Sequence, residues 1–204
     1  KRLRELCDRY GILLIFDEVI TAYGRLGKAS AAEYFDVKPD IITTAKGLTN
    51  GVIPMGAVIV DEKIYASAME NATAPIELFH GYTYSAHPMA VAAASATLES
   101  YRQNDMFNRV AALAPFWEEA VHSLKSARHV IDLRNLGLVA GIELESRPGA
   151  PGARGFEAMK LAWEAGLMIR LTGDIIQLSP PFIISKDEIQ TLFGNLAEIL
   201  NRID

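Results

Sequence analysis

Three short apolar runs, ILLIF (12–16), DIITT (40–44) and GAVIV (56–60), constrain the fold of this chain more than any other feature. Each is continuous rather than alternating and rich in β-branched side chains, the pattern of a strand covered on both faces. The connections between them are loops without tight hairpin signals, which favours an α/β layer with a largely parallel or mixed sheet. Leu3, Leu6 and Cys7 recur at helical spacing before the first run, and Gly11 supplies a helix stop.

Further along, PMAVAAASATLESYRQ (88–103) reads as a helix, alanine-rich and with Pro88 in its first turn. A second amphipathic stretch covers 108–125. From about 129 the texture changes to short strands, HVIDLRNLG and LVAGIELE. A Gly/Pro-rich loop follows, then a helix near 155–165, paired strands within 167–179 and a closing helix after Ser185. The organisation expected is therefore one α/β domain over 1–103 and a smaller α+β domain over 104–204.

Composition narrows the function classes. Half of the 204 residues are hydrophobic and 22% are charged, the balance of a soluble globular protein. A formal charge of −5 gives no general electrostatic reason to bind nucleic acid or an anionic membrane. The single cysteine, Cys7, excludes an intrachain disulfide framework and suits a reducing compartment, so the cytoplasm is the expected location. No apolar run reaches bilayer length. The opening KRLRELCDRYGILLIFDEV begins inside a helix, without an initiator methionine or a first strand to pair with. It reads as part of something larger.

Ligands of open α/β sheets gather at the carboxyl ends of strands. Asp17 falls there just after ILLIF, and Lys46 just after DIITTA. An amine and a carboxylate at neighbouring strand ends suit pyridoxal 5′-phosphate (PLP), whose aldehyde condenses with a lysine and whose ring nitrogen stays protonated against an aspartate. Taken singly, either residue is an ordinary loop residue. LLIFDE also resembles the acidic strand end of a P-loop ATPase, but AKGLTNG does not satisfy the G-x-x-x-x-G-K-[ST] such an enzyme needs. HGYTYSAHP (80–88) places Thr83, Ser85 and unpaired backbone N–H groups before a helix, a natural phosphate seat. Helix capping by Ser85 is the plainer use of the same residues. The four histidines show no metal-ligand spacing, so no metal is assigned. Arg170, in GLMIRLTGDII, lies inside an apolar strand and calls for a carboxylate or phosphate, either a substrate's or that of a structural ion pair.

Together these segments resemble the C-terminal half of a class III (fold type I) PLP-dependent aminotransferase. FDEVITAYGR is similar to the family's D-E-V-x-T-G-F-G-R, TTAKGLTNGVIPMGAV to its Schiff-base lysine segment, and MIRLTGDII to its R-P-x-G-D stretch. ELFHGYTYSAHP and HVIDLRNLGL are most similar to the ω-amino acid (β-alanine)–pyruvate branch. The resemblance implies the end of a PLP-binding large domain followed by a small α+β domain. It implies Lys46 as the Schiff-base lysine, Asp17 at the pyridine nitrogen, Val19 against the ring, and Thr83 holding the phosphate of a neighbouring subunit in a homodimer. Arg170 would bind the substrate carboxylate, and the substrates would be amines and keto acids. Ile20 stands where the 4-aminobutyrate branch has glutamine. Other activities of the family, 4-aminobutyrate or ornithine transamination, and a truncated fold that binds PLP without turnover are the alternatives. Two departures carry structural expectations. Ala22 replaces a glycine, which bears on backbone φ or close packing at that turn. Leu171 replaces a proline after Arg170, which would loosen that loop.

Overall fold

The computed structural model describes residues 1–70, 72–73 and 81–204. They form two compact units, Lys1–Asn108 and Arg109–Asp204. Residues 77–80 of the ELFHGYTYSAHP segment lie outside the described part.

In the first unit, α1 (Arg2–Tyr10) is closed by Gly11, whose φ of 64° is the left-handed cap that glycine adopts without steric cost. The chain then enters a three-stranded sheet, β1 (Ile15–Asp17), β2 (Ile41–Thr44) and β3 (Ala57–Val60), in the order β1-β2-β3. β1 and β2 are parallel, with Asp17 opposite Thr43, and β3 returns antiparallel to β2. The mixed α/β sheet read from the three apolar runs is the one observed. Between β1 and β2 lies the short α2 (Ala31–Phe35), and α3 (Glu62–Glu70) follows β3. The long α4 (Pro88–Gln103) has Pro at its start, where the missing N–H costs nothing.

One expectation fails in this unit. The continuous apolar runs predict strands covered on both faces, yet Ile12, Leu13, Ile15, Val58 and Ile59 are each more than half exposed. β-branching has set the extended backbone as expected. Among the described residues, though, no layer lies over these side chains. None of the residues of α1 is buried either, although its apolar spacing was read correctly.

Asp40 ties this unit together. It is 4% exposed and accepts from the Leu14 backbone N–H at 2.8 Å, from Lys63 of α3 at 2.7 Å and from Arg4 of α1 at 2.6 Å. The entry to β1 and two helices thus converge on one carboxylate. The Leu14 N–H, then Lys63 and Arg4, hold its pKa far below the usual carboxylate range.

The second unit carries its own core. α5 (Met106–His122) leads by a 3₁₀ turn into β4 (Val130–Leu136) and β5 (Val139–Leu144). α6 (Ala153–Glu164), β6 (Arg170–Thr172), β7 (Ile175–Leu178) and α7 (Lys186–Arg202) complete it. The sheet is antiparallel throughout, in the order β4-β5-β7-β6. Two-residue turns at Gly137–Leu138 and Gly173–Asp174 join its hairpins, with φ of 53° and 60° at the glycines. Burial alternates along β5, and its inward Ala140, Ile142 and Leu144 meet Trp117 of α5, Ala158 of α6 and Phe193 of α7 in one cluster. Ser185 and Glu188 form a capping box that starts α7.

Replacing Asp40 by asparagine keeps its shape and removes its charge. The variant is expected to lose about 1–3 kcal/mol at neutral pH, as for losing charged hydrogen bonds from a buried group. Because the folded carboxyl has a depressed pKa, its stabilisation is complete above the unfolded value of about 3.9 and is lost as pH falls through the folded value. Denaturant titrations of both proteins should therefore converge in acid. A gap that stays constant down to the lowest pH at which the protein folds would show that the charge contributes nothing.

Candidate active site

The parallel pairing of β1 and β2 brings two of the expected residues to one edge of the sheet. Asp17 is the last residue of β1, exposed, and its Oδ1 accepts from the Val19 N–H at 3.2 Å and the Thr43 hydroxyl at 3.4 Å. Its Oδ2 accepts from no described residue. Lys46 follows the end of β2 by two residues and opens a 3₁₀ turn, Lys46–Leu48. It too is exposed, and its amine is held in no ion pair among the described residues. Lys46 has a φ of 40°. A non-glycine residue held left-handed costs about 1–3 kcal/mol, and such strain clusters at functional sites.

The surroundings enforce that turn. A Cβ at Gly47 would lie 3.2 Å from the Tyr23 Cβ, so a larger residue there would press on Tyr23. Tyr23 also hydrogen-bonds through its hydroxyl to the Thr44 hydroxyl at 3.0 Å, at the strand's last residue. The Ala22 departure is absorbed here. Ala22 is 6% exposed, and the positive φ values belong to its neighbours Tyr23 (62°) and Gly24 (108°). The methyl group sits in the packed interior without needing glycine's freedom.

Glu18 escaped the sequence reading. It is 1% exposed, and its carboxylate accepts from the N–H groups of Ala31 at 2.5 Å and Ala32 at 2.8 Å and from the Thr21 hydroxyl at 3.1 Å. Its own N–H donates to Thr43 O at 2.8 Å, extending the parallel ladder. Successive residues of an extended chain point to opposite sides, so Asp17 turned outward leaves Glu18 turned inward. Glu18 satisfies the first donors of α2, and the same bonds pin the loop that begins at Asp17. The signal was present in the adjacent pair of acids, of which only one can face a ligand.

Thr83 lies in an exposed turn ahead of α4. Ser85 does not cap that helix. Its Oγ accepts from the Tyr82 N–H at 3.1 Å, closing the turn, and the cap is His87, whose Nδ1 accepts from the Met89 N–H at 3.2 Å. A serine three residues before Pro88 is too far back to reach the helix's first amides. Near the other end of α4, the Tyr101 hydroxyl donates to Gly47 O at 2.9 Å. Thirteen residues of helix, about 20 Å at 1.5 Å each, separate Tyr101 from the start of α4. Thr83 therefore precedes the end of the helix remote from the Lys46 turn.

Arg170 belongs to the second unit. The sequence places it inside an apolar strand, but β6 is an edge strand and Arg170, at its first position, is exposed. No ion pair engages it among the described residues, so the structural pairing considered for it is absent there. The hairpin that carries it is anchored by Asp174, which accepts from the N–H groups of Gly152 at 2.7 Å and Gly155 at 2.8 Å and from the Ser146 hydroxyl at 2.7 Å. A Cβ on Gly155 would lie 2.6 Å from Gly173 O, so helix and hairpin meet at backbone distance. Leu171, where a proline was expected, pairs with Ile176 and packs on the core. Arg170 and Leu171 thus lie in a paired strand rather than in a loop.

The family model for aminotransferase class III matches residues 1–200. The chain belongs to the class III aminotransferases. Members of this family are PLP-dependent enzymes. The chain is 58% identical over 204 residues to an omega-aminotransferase of Caulobacter vibrioides, covering all of this chain and 46% of that protein. It is 47% identical over 205 residues to a beta-alanine–pyruvate aminotransferase of Pseudomonas aeruginosa, with the same coverage. Among solved structures it resembles an amine transaminase from an uncultivated Pseudomonas species in its PLP-bound form. That match has a TM-score of 0.89 and 36% identity, and covers 100% of this chain and 47% of the other. The chain thus spans about half the length of the relatives it matches. The donor set suits PLP. An exposed amine held in no described ion pair and an exposed carboxylate with one oxygen already oriented stand at the ends of adjacent parallel strands. Among the described residues no helix is long and apolar enough to cross a membrane, and no cluster of side chains could hold a metal ion.

Glu18→Gln is expected to destabilise the protein by about 1–3 kcal/mol, since a buried charged acceptor is replaced by an amide that can accept through one atom only. Denaturant unfolding would measure it. Wild-type stability in this variant would mean that Glu18 does not hold the Asp17 loop.

Proposed function

We propose that the protein carrying this chain is a PLP-dependent ω-amino acid–pyruvate transaminase, and that this chain supplies its cofactor lysine and aspartate. The observation that carries the reading is the pairing of Asp17 and Lys46 at one sheet edge. When bound, PLP supplies a carbonyl that condenses with amines and a ring that withdraws electrons from the substrate carbon. Lys46 would bind the cofactor covalently and, once displaced by substrate, move the proton between the substrate Cα and the cofactor C4′. Asp17 would keep the proton on the ring nitrogen, its Oδ1 steadied by Val19 N–H and Thr43. The Val19 side chain would pack on the ring face.

The substrate reading rests on likeness and on one residue. The relatives named for β-alanine and ω-amino acid transamination are 47% and 44% identical, against 32% for a probable gamma-aminobutyrate transaminase of rice. Ile20, in place of the glutamine of the 4-aminobutyrate branch, points the same way. On this reading an amine such as β-alanine donates, and pyruvate accepts to give alanine. Residues 1–103 would be the end of the PLP-binding large domain and 104–204 a small C-terminal domain. Thr83, ahead of the end of α4 remote from Lys46, would serve the phosphate of a neighbouring subunit in a homodimer. The free Cys7 suits a reducing cytoplasm.

Borohydride reduction of the holoenzyme followed by peptide mapping should leave the pyridoxyl group on Lys46. A label on Lys28 or Lys63 would overturn the site assignment.

Arg170 should separate substrates by their carboxylates. Pyruvate carries its carboxylate beside the reacting carbon and β-alanine carries it one carbon further out, and an exposed guanidinium at a strand edge can follow either. Arg170→Ala should weaken both by about 2–5 kcal/mol, the range for losing one partner of a desolvated charge pair. The half-reaction of 1-phenylethylamine, which lacks a carboxylate, should change far less. Single-turnover loss of the cofactor's visible absorbance measures each donor separately. Equal losses for both donors would make Arg170 a structural residue.

A further inference from the structure

We infer that Tyr101 is a positioning residue for Lys46: its hydroxyl reaches from α4 to the Gly47 carbonyl and holds the strained turn from which the lysine projects. The inference rests on Lys46 being the cofactor lysine.

The turn has little to hold it by itself. Its backbone bonds are Leu48 N–H to Ala45 O at 2.9 Å and Thr49 N–H to Lys46 O at a long 3.3 Å. A residue at φ 40° relaxes toward the right-handed region unless its neighbours prevent it. Two rings do so from different elements. Tyr23 crowds Gly47 from one side, its Cβ 3.2 Å from where a Cβ on Gly47 would lie, closer than ordinary contact. Tyr101 fixes the next atom along, the Gly47 carbonyl, at 2.9 Å. A carbonyl can only accept, so the phenol must donate. Burial raises the phenol's pKa, which keeps that proton in place.

Tyr101 is itself well held. It is 9% exposed, on the face of α4 that also buries Ala90 and Ala94, and its ring lies 5.8 Å from that of Phe107. Arg25, of the same loop as Tyr23, interacts with it electrostatically, and burial lowers that guanidinium's pKa to about 10. Helix α4 thus transmits its rigidity to the turn through one hydroxyl. Loss of that hydroxyl frees the Gly47–Leu48 peptide to rotate, and the long lysine side chain one residue back magnifies the resulting shift at its amine.

Tyr101→Phe keeps the ring and removes the bond. The first readout uses the apoenzyme: amide hydrogen exchange at Leu48 and Thr49, the two amides of the turn's own bonds, should quicken about five- to tenfold, the ratio a single neutral hydrogen bond supports. The unfolding midpoint should stay near that of the parent. The second readout is the rate at which the apoenzyme takes up PLP covalently, followed by visible absorbance, which should fall by a similar factor. Phe107→Leu loosens the packing beside Tyr101 and leaves the hydroxyl, so it should reproduce neither effect. Parent-like exchange at these amides together with parent-like uptake in Tyr101→Phe would overturn the inference, as would equal effects from Phe107→Leu. Faster exchange without slower uptake would show a clamp that does not position the amine, and would overturn it too. Borohydride labelling of the parent away from Lys46 would instead defeat the functional reading, while the exchange data would still report on the turn.

Discussion

The parallel register of β1 and β2 is the constraint from which the candidate site follows. Parallel strands end at the same edge, so a residue closing one strand and a residue just past its neighbour must lie close in that edge. Setting Asp17 opposite Thr43 leaves only the few residues after Thr43 free to meet a ligand beside the aspartate, and Lys46 is among them. An antiparallel pairing of the same two runs would send the carboxylate and the amine to opposite ends of the sheet. β3, which does run antiparallel, delivers no reactive side chain to that edge. Glu18 reinforces the register by continuing the ladder with its N–H and anchoring α2 with its carboxylate.

The two units solve the burial problem differently. In Arg109–Asp204 the alternating residues of β5 and β7 and the apolar stripes of three helices close on one another, and the core includes several side chains with no exposure at all. Lys1–Asn108 depends more on polar connections. Asp40 gathers α1, the start of β1 and α3, while hydroxyls of Tyr23, Thr44 and Tyr101 secure the segment around Lys46. Directional bonds of this kind hold individual atoms in place where nonspecific packing would hold only a volume.

Much of this was legible in the chain. β-branched runs announced β1, β2 and β3. Pro88 marked the start of α4, and Ser185 marked that of α7. Asp17 and Lys46 were found from their place after those runs, because strand ends are where side chains leave the sheet. Other features depend on partners distant in sequence and were illegible for that reason. Tyr101 looked like one more aromatic residue on a helix until Gly47, 54 residues away, was beside it. Glu18 needed the amides of Ala31 and Ala32, and the cap of α4 needed the ring of His87 where a serine seemed better suited. Arg170 was misjudged as interior because periodicity reports an apolar strand and not whether that strand lies at an edge.

The exposed apolar side chains of β1 and β3 bear on how this segment behaves when handled by itself. Among the described residues both are edge strands, and each offers β-branched residues beside backbone groups ready to pair with another chain. Short, uncharged windows such as ILLIF and AVIV are the kind that stack into intermolecular sheets. The second unit, with its closed antiparallel core, has no comparable run on its surface. Expressed alone, the segment should therefore be limited by the solubility of its first hundred residues rather than by the stability of its last hundred, and charged substitutions at Ile15 or Val58 would be the economical way to keep it in solution.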